Sequence, residues 1–186
     1  MSLTPGDILT FWFEGDASAR REKWFKKDAG FDAACAPHTE AIRAARDGAY
    51  DAWTATPDGA LALIVLLDQL SRNVFRGTAE AFAGDAKALS LARLLVAEGD
   101  DRGLAPNQRL FAYLPFEHAE TLAGQNESVR LFEHLRDTLG GGTVDYAHRH
   151  RDVILRFGRF PHRNASLGRV STVAEAEYLA QPGAGF

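Results

Sequence analysis

Acidic and basic side chains are grouped in the stretch "LLDQLSRNVFRGT", residues 66–78. Asp68, Arg72 and Arg76 are spaced four residues apart, so they would share one face of a helix, with Asn73 on the adjacent face. Guanidinium groups suit carboxylate or phosphate ligands, but an arginine four residues from an aspartate can also form an internal ion pair. The spacing therefore predicts either an Asp68–Arg72 pair alone or a pair that also lines a ligand cavity.

A second group of titratable side chains lies in "LPFEHAET", residues 114–121. Glu117 and Glu120 are one helical turn apart, and His118 lies between them in the sequence. The ordinary pKa of a histidine side chain is close to neutral pH. A histidine next to carboxylates can act as a general base or a metal ligand, although most such histidines are half-buried and simply hydrogen-bonded. Both interpretations of His118 remain open.

The third group is the most basic part of the chain, residues 148–164. It contains five Arg, three His and one Asp, a formal charge of +4 (five minus one) in a chain of −4. Pro161 should end a helix here and leave His162 on a turn. Gly158 predicts a helix break or a close backbone approach. Helical spacing predicts one continuous polar stripe of His148, Asp152, Arg156, Arg159 and Arg163.

A stripe with so many positive charges needs acidic partners or an anionic ligand. One hypothesis is internal neutralisation, with Asp68, Glu117, Glu120 or backbone carbonyls as the acceptors. The other is an anion pocket in which at least one guanidinium stays available. Residue types alone leave both hypotheses standing.

Helices must position all of these groups, because no stretch has the alternation and β-branched enrichment of a strand. Thr-Pro caps predict helix starts at Thr4 and Thr56, and Thr172 with Glu175 forms a capping box. The helix over 57–75 is apolar all round at its start and should be buried on every side. Further helices are expected over 31–47 with a kink at Pro37, 86–98 with Asp85 as cap, 107–122 interrupted at Pro115, 126–139, 143–158 and 173–180.

Length and composition favour one soluble domain spanning 1–186. The residues are 46% hydrophobic and 25% charged, an ordinary globular balance. A net charge of −4 argues against nucleic-acid binding, and the absence of a long apolar run argues against a membrane span. A single cysteine, Cys35, suits a reducing compartment, so the cytoplasm is expected.

Several motifs together give the chain a specific resemblance. "FWF", "LLDQLSRNVFRGT", "LPFEHAE", "ILRFGRFPHRNASLGRVST" and the closing Glu175–Leu179 segment, in this order, resemble the bacterial domain-of-unknown-function 924 family from about Ile8 to Leu179. The resemblance implies an all-α fold, a degenerate tetratricopeptide-like superhelix of antiparallel helical hairpins, but no reaction. Members often carry a serine where this chain has Ala119, so a hydroxyl nucleophile at that position is not expected.

Three functions follow as hypotheses. The first is a protein that binds a small anion, a carboxylate-bearing metabolite or an acidic peptide. The second is a hydrolase or lyase acting on an anionic substrate, with His118 or His162 as the acid or base and Asp68 or Glu117 orienting it. The third is a scaffold for a protein partner. No cofactor or metal site is predicted, because no E-x-x-H or H-E-x-x-H pair occurs. Catalytic residues and oligomeric state are not predicted. The expected ligand-binding residues are Asp68, Arg72, Asn73, Arg76, Glu117, His118, Arg156, Arg159, His162 and Arg163.

Overall fold

A computed structural model describes residues 3–185, and throughout this range the regular structure is helical, without strands. The all-α prediction is confirmed, whereas the tetratricopeptide-like arrangement stays a prediction. Within 3–185, no helix is both long and apolar enough to cross a membrane. The α-helices are α1 Pro5–Phe13, α2 Ala29–Cys35, α3 Thr39–Arg46, α4 Pro57–Ile64, α5 Ser71–Val74, α6 Asp85–Ala97, α7 Pro106–Glu117, α8 Leu122–Glu133, α9 Arg136–Leu139, α10 Gly141–Phe157 and α11 Val173–Leu179.

A π-helical segment, Val65–Leu70, joins α4 to α5 and makes one long helix of the three. Every residue from 59 to 71 is buried, which confirms the prediction of a helix surrounded by protein. This helix packs against α1 on one side and α6 on the other, and α7 also contacts it. It is the centre of the hydrophobic core, and the site described below is attached to its π-helical end.

Local capping signals set several helix starts. Thr4 and Thr172 form complete capping boxes, and Thr56 accepts a hydrogen bond from the backbone N–H of Gly59. The kink predicted at Pro37 is present as a 3₁₀ turn, Ala36–His38, between α2 and α3. Side-chain acceptors at these positions satisfy backbone N–H groups that a helix leaves without partners.

The helix predicted over 107–122 is wrong at both its interruption and its end. Pro115 lies inside α7 without ending it; its neighbours Leu114 and Phe116 are buried, so packing of this turn offsets the backbone hydrogen bond that proline cannot donate. The helix ends at Glu117 because the Gln125 side chain donates hydrogen bonds to the carbonyls of Glu117 (2.7 Å) and Ala119 (2.8 Å). Those carbonyls would otherwise lack partners at the helix end.

Two further predictions about local structure are corrected. The polar stripe over 148–163 is not continuous, because α10 ends at Phe157 and Gly158 adopts a left-handed conformation (φ 70°) that turns the chain away. Asp85 does not cap α6 but is its first residue, after Gly84. Its carboxylate is engaged elsewhere, by two arginines of the candidate site.

Gly84 lets α6 begin directly against the π-helical segment. A Cβ added at Gly84 would lie 2.5 Å from the Leu67 carbonyl oxygen and 3.1 Å from the Leu67 Cβ. Atoms at such distances must move apart, and Asp85 would move with Gly84.

We therefore expect Gly84→Ala to lower the free energy of unfolding by about 1–3 kcal/mol, as overpacking of a rigid interior does. Urea denaturation measures this. Gly103→Ala is the control, because a Cβ there meets nothing within 4 Å. Equal stability of the two variants would show that α6 does not need this close approach.

Candidate functional site

The carboxylate of Asp68 is the centre of the site. Asp68 lies in the π-helical segment and is 0% exposed. Arg72 places Nη1 3.1 Å from Asp68 Oδ1, and the neighbouring Gln69 amide donates to Oδ2. Burial alone would raise the pKa of Asp68, but the charge of Arg72 and the contact with His118 outweigh it and lower the pKa. Asp68 is therefore a buried carboxylate that stays ionised.

His118 faces Asp68 from the end of α7. Its Nδ1 lies 2.7 Å from Asp68 Oδ1 and 3.0 Å from Oδ2. Burial and the positive charge of Arg72 lower the pKa of His118 below its ordinary value, so the ring is neutral at pH 7. An ionised carboxylate can only accept, hence Nδ1 carries the hydrogen and Nε2 carries the lone pair. Residues 3–185 offer Nε2 no hydrogen-bond partner, and 14% of the side chain remains exposed.

Two arginines share the carboxylate of Asp85 beside this pair. Arg72 holds it with two hydrogen bonds, of 2.9 and 3.0 Å, and Arg163 adds a third at 3.1 Å. Arg163 also donates to the His118 carbonyl at 3.1 Å. Its guanidinium lies over two rings, those of Phe82 (4.8 Å) and Phe160 (4.7 Å). Arg163 is thus held by two acceptors and two rings, and burial lowers its pKa to about 10.

Glu117 is the second carboxyl group of the site, and it differs from Asp68 in charge. Burial, and secondarily the charge of Asp68, raise the pKa of Glu117 to about 8, so this carboxyl is mostly protonated at pH 7. Its neighbour His150 lies 3.6 Å away (Oε1 to Nδ1) but donates its Nδ1–H to the Tyr146 carbonyl at 2.9 Å. Burial lowers the pKa of His150 to about 3, so no imidazolium is present to ionise Glu117.

The structure brings together five of the side chains expected to bind a ligand and leaves three elsewhere. Asn73 and Arg76 both bind the carboxylate of Asp32 in α2. The Asn73 amide donates one hydrogen bond of 2.8 Å, and the Arg76 guanidinium donates two, of 2.9 and 2.8 Å. Arg156 is exposed and lies over the Phe157 ring at 4.7 Å. The side chains brought together are Asp68, Arg72, Glu117, His118 and Arg163.

The other two expected residues lie at or beyond the edge of this group. Arg159 holds Glu175 with hydrogen bonds of 2.6 and 2.8 Å. His162 borders the site: burial and the charges of Arg163 and Arg72 lower its pKa to about 4. Glu120 was one of the possible acceptors for the arginines of residues 148–164, but it binds Arg169 at 2.6 and 2.9 Å.

Sequence reasoning missed Asp85 and Phe82 as parts of the site. Asp85 had a competing local explanation as a helix cap, and Phe82 belongs to a short 3₁₀ turn, Ala79–Phe82, without any periodic signal. No group of three or more His, Cys, Asp or Glu side chains between residues 3 and 185 has the arrangement of a metal site.

Comparison with known proteins agrees with the resemblance noted from the motifs. The model of the family described as "Bacterial protein of unknown function (DUF924)" matches residues 8–183. The solved structure of a protein of unknown function, ATU0120 from Agrobacterium tumefaciens, is similar at 40% identity and a TM-score of 0.83. That similarity covers 95% of this chain and 96% of the other. A search of the curated proteins finds no match.

The raised pKa of Glu117 predicts a specific pH dependence of stability. The folded state holds a proton on Glu117 up to about pH 8, whereas the unfolded chain releases it near 4.5. Between these values the unfolded state binds fewer protons, so Glu117 makes stability fall as pH rises. Glu117→Gln should remove this pH-dependent contribution. Its free energy of unfolding should therefore rise relative to that of wild type by on the order of 1 kcal/mol for each pH unit.

Urea denaturation of both proteins from pH 5 to pH 8 measures the difference. The comparison isolates Glu117, because the buried histidines contribute equally to both proteins. Glu177→Gln at an exposed position should follow wild type at every pH. Parallel curves for wild type and Glu117→Gln would contradict a protonated Glu117.

Proposed function

Because the chain belongs to the bacterial DUF924 family, whose description assigns no activity, we propose a function from the site itself: an acid–base enzyme, a hydrolase or lyase acting on a small anionic substrate. The observation that carries the proposal is the 2.7 Å contact between Asp68 and His118 Nδ1. It fixes the tautomer in which Nε2 is unprotonated, and residues 3–185 offer that nitrogen no hydrogen-bond partner, so it is available as a general base.

His118 is the proposed base. Asp68 orients the ring and stabilises the imidazolium that forms when Nε2 takes a proton. That proton comes from water, which then adds to an acyl carbon, or from a C–H group next to a carboxylate. The lowered pKa of His118 keeps the base free of protons at pH 7.

Glu117 is the proposed acid. Its raised pKa, about 8, keeps a proton available at pH 7 for the oxygen or nitrogen that leaves the substrate. Opposite pKa shifts in two neighbouring groups are typical of assigned acid and base roles. After turnover, the proton on His118 and the vacancy on Glu117 are exchanged with solvent, which restores both groups.

The charge of the cluster favours negative charge that develops on the substrate during the reaction. Arg72 and Arg163 supply two positive charges and Asp68 and Asp85 two negative ones, so the resting cluster is neutral when Glu117 is protonated. Once His118 accepts a proton the cluster has a charge of +1. A substrate that carries or develops negative charge is stabilised at that moment, which is when catalysis needs it.

We expect His118→Gln to lower kcat/KM by about 10²–10⁴-fold, the usual contribution of a general base. Asp68→Asn should also lower kcat/KM, because the amide no longer favours the Nδ1–H tautomer. The assay is a panel of carboxylate-bearing esters and amides, phosphate esters and 2- or 3-hydroxy acids. His134→Gln, at an exposed histidine, is the matched control. Turnover that survives His118→Gln would contradict the assignment.

A second candidate function is binding of a small anion without catalysis. It is favoured by Arg163, whose buried Nε finds no acceptor among residues 3–185, and by Arg72, whose side chain is 19% exposed. An anion at this position would compete with Asp85 for the guanidinium groups.

For this candidate, Arg72→Ala should weaken binding of phosphate, sulfate or a dicarboxylate by at least about tenfold in calorimetric titration. Arg156→Ala serves as the control, since its guanidinium is exposed and distant from the cluster's hydrogen bonds. Binding by Arg72→Ala at wild-type affinity would contradict an anion site here. Anion binding together with a negative substrate panel would favour this function over the enzyme.

A further inference from the structure

Beyond α11 the chain turns back toward α10. We call residues 181–185 the strap. The Gly183 carbonyl accepts a hydrogen bond of 3.4 Å from Arg149 of α10. Together with Tyr178, strap residues 181–184 line one side of a cavity of about 230 Å³, and Arg149, Asp152 and Val153 line the other.

Gly185 brings the strap onto His162. A Cβ added at Gly185 would lie 3.1 Å from the His162 Cβ, 3.6 Å from its Cγ and 3.9 Å from its Nδ1. The backbone at Gly185 is also left-handed, with φ 81°. Both the space and the conformation therefore require glycine, because a side chain at this position would meet the imidazole and strain the backbone.

His162 lies between the strap and the candidate site. Its ring contacts Phe160 at a centroid distance of 5.5 Å, and Phe160 in turn lies against the Arg163 guanidinium at 4.7 Å. Arg163 donates to the His118 carbonyl at 3.1 Å. A continuous series of contacts therefore leads from the strap through His162 to the backbone of His118, the proposed base.

We propose that the strap closes the His162 side of the site and opens to admit the substrate, an inference that rests on the proposed function. A movable strap fits the exposure of its outer part. Residues 181–183 are exposed, Ala184 and Gly185 are half-buried, and the described backbone hydrogen bonds include the turn bond from Ala184 N–H to the Gln181 carbonyl (3.1 Å). Segments with few buried contacts open at low free energy.

The test measures how fast diethylpyrocarbonate modifies individual histidines at pH 7, read by peptide mass spectrometry. The reagent needs a neutral imidazole and access to it. Gly185→Ala should raise the modification rates of both His162 and His118 roughly tenfold, because alanine is disfavoured at this φ and would contact the His162 ring. Arg149→Ala, which removes the donor to Gly183, should act in the same direction and serves as the second variant.

Gly99→Ala is the matched control, because its φ of 78° carries the same backbone strain outside the strap, with nothing within 4 Å of the added Cβ. It should leave both rates at the wild-type value. Unchanged rates in Gly185→Ala and Arg149→Ala would overturn the strap. Faster modification of His162 without His118 would overturn its role as a cover of the site. These rates do not depend on turnover, so failure of the strap and failure of the proposed activity are separate outcomes.

Discussion

The carboxylate of Asp68 has no contact with solvent, and the neighbouring groups of the site are arranged to stabilise its charge. An isolated buried carboxylate would cost several kcal/mol, so it needs a cation and hydrogen-bond donors at short range. Arg72 and the Nδ1–H of His118 meet that need. Arg72 in turn draws Asp85 and Arg163 into the same network, and Arg163 holds the end of α7 through the His118 carbonyl. One buried charge thus links α6, α7, the π-helical segment and the turn after α10.

The π-helical segment explains how such a charge can be placed in the core. Val65–Leu70 continues a helix whose neighbouring residues are apolar and completely buried, yet Asp68 and Gln69 are side by side and hydrogen-bonded within it. Short π-helical turns are rare in proteins, and those that occur are often found at functional sites. An apolar pair in these positions would be easier to bury, so retention of an ionised group here is the reason to expect a role beyond stability.

Interactions between residues that are close in the sequence could be predicted from it. Thr4, Thr56 and Thr172 act as caps within three residues of themselves, and Asp68 and Arg72 pair one helical turn apart. Long-range partners could not be read in this way. Arg163 and Asp85 are 78 residues apart in the sequence, yet they form an ion pair. Arg159 pairs with Glu175, which was not among the acceptors considered from the sequence. The carboxylate that each of these arginines reaches depends on the direction in which the chain leaves α10 at Gly158. Residue spacing on a continuous helix cannot predict that direction.

The central claim is that Asp68 holds His118 as a neutral base with its lone pair on Nε2. Long-range ¹H–¹⁵N NMR of the imidazole at pH 7, assigned by loss of the signal in His118→Gln, reports which ring nitrogen carries the proton. We predict the Nδ1–H tautomer in wild type, with Nε2 unprotonated, and loss of that preference in Asp68→Asn. A wild-type spectrum showing the Nε2–H tautomer or a doubly protonated ring would contradict the claim.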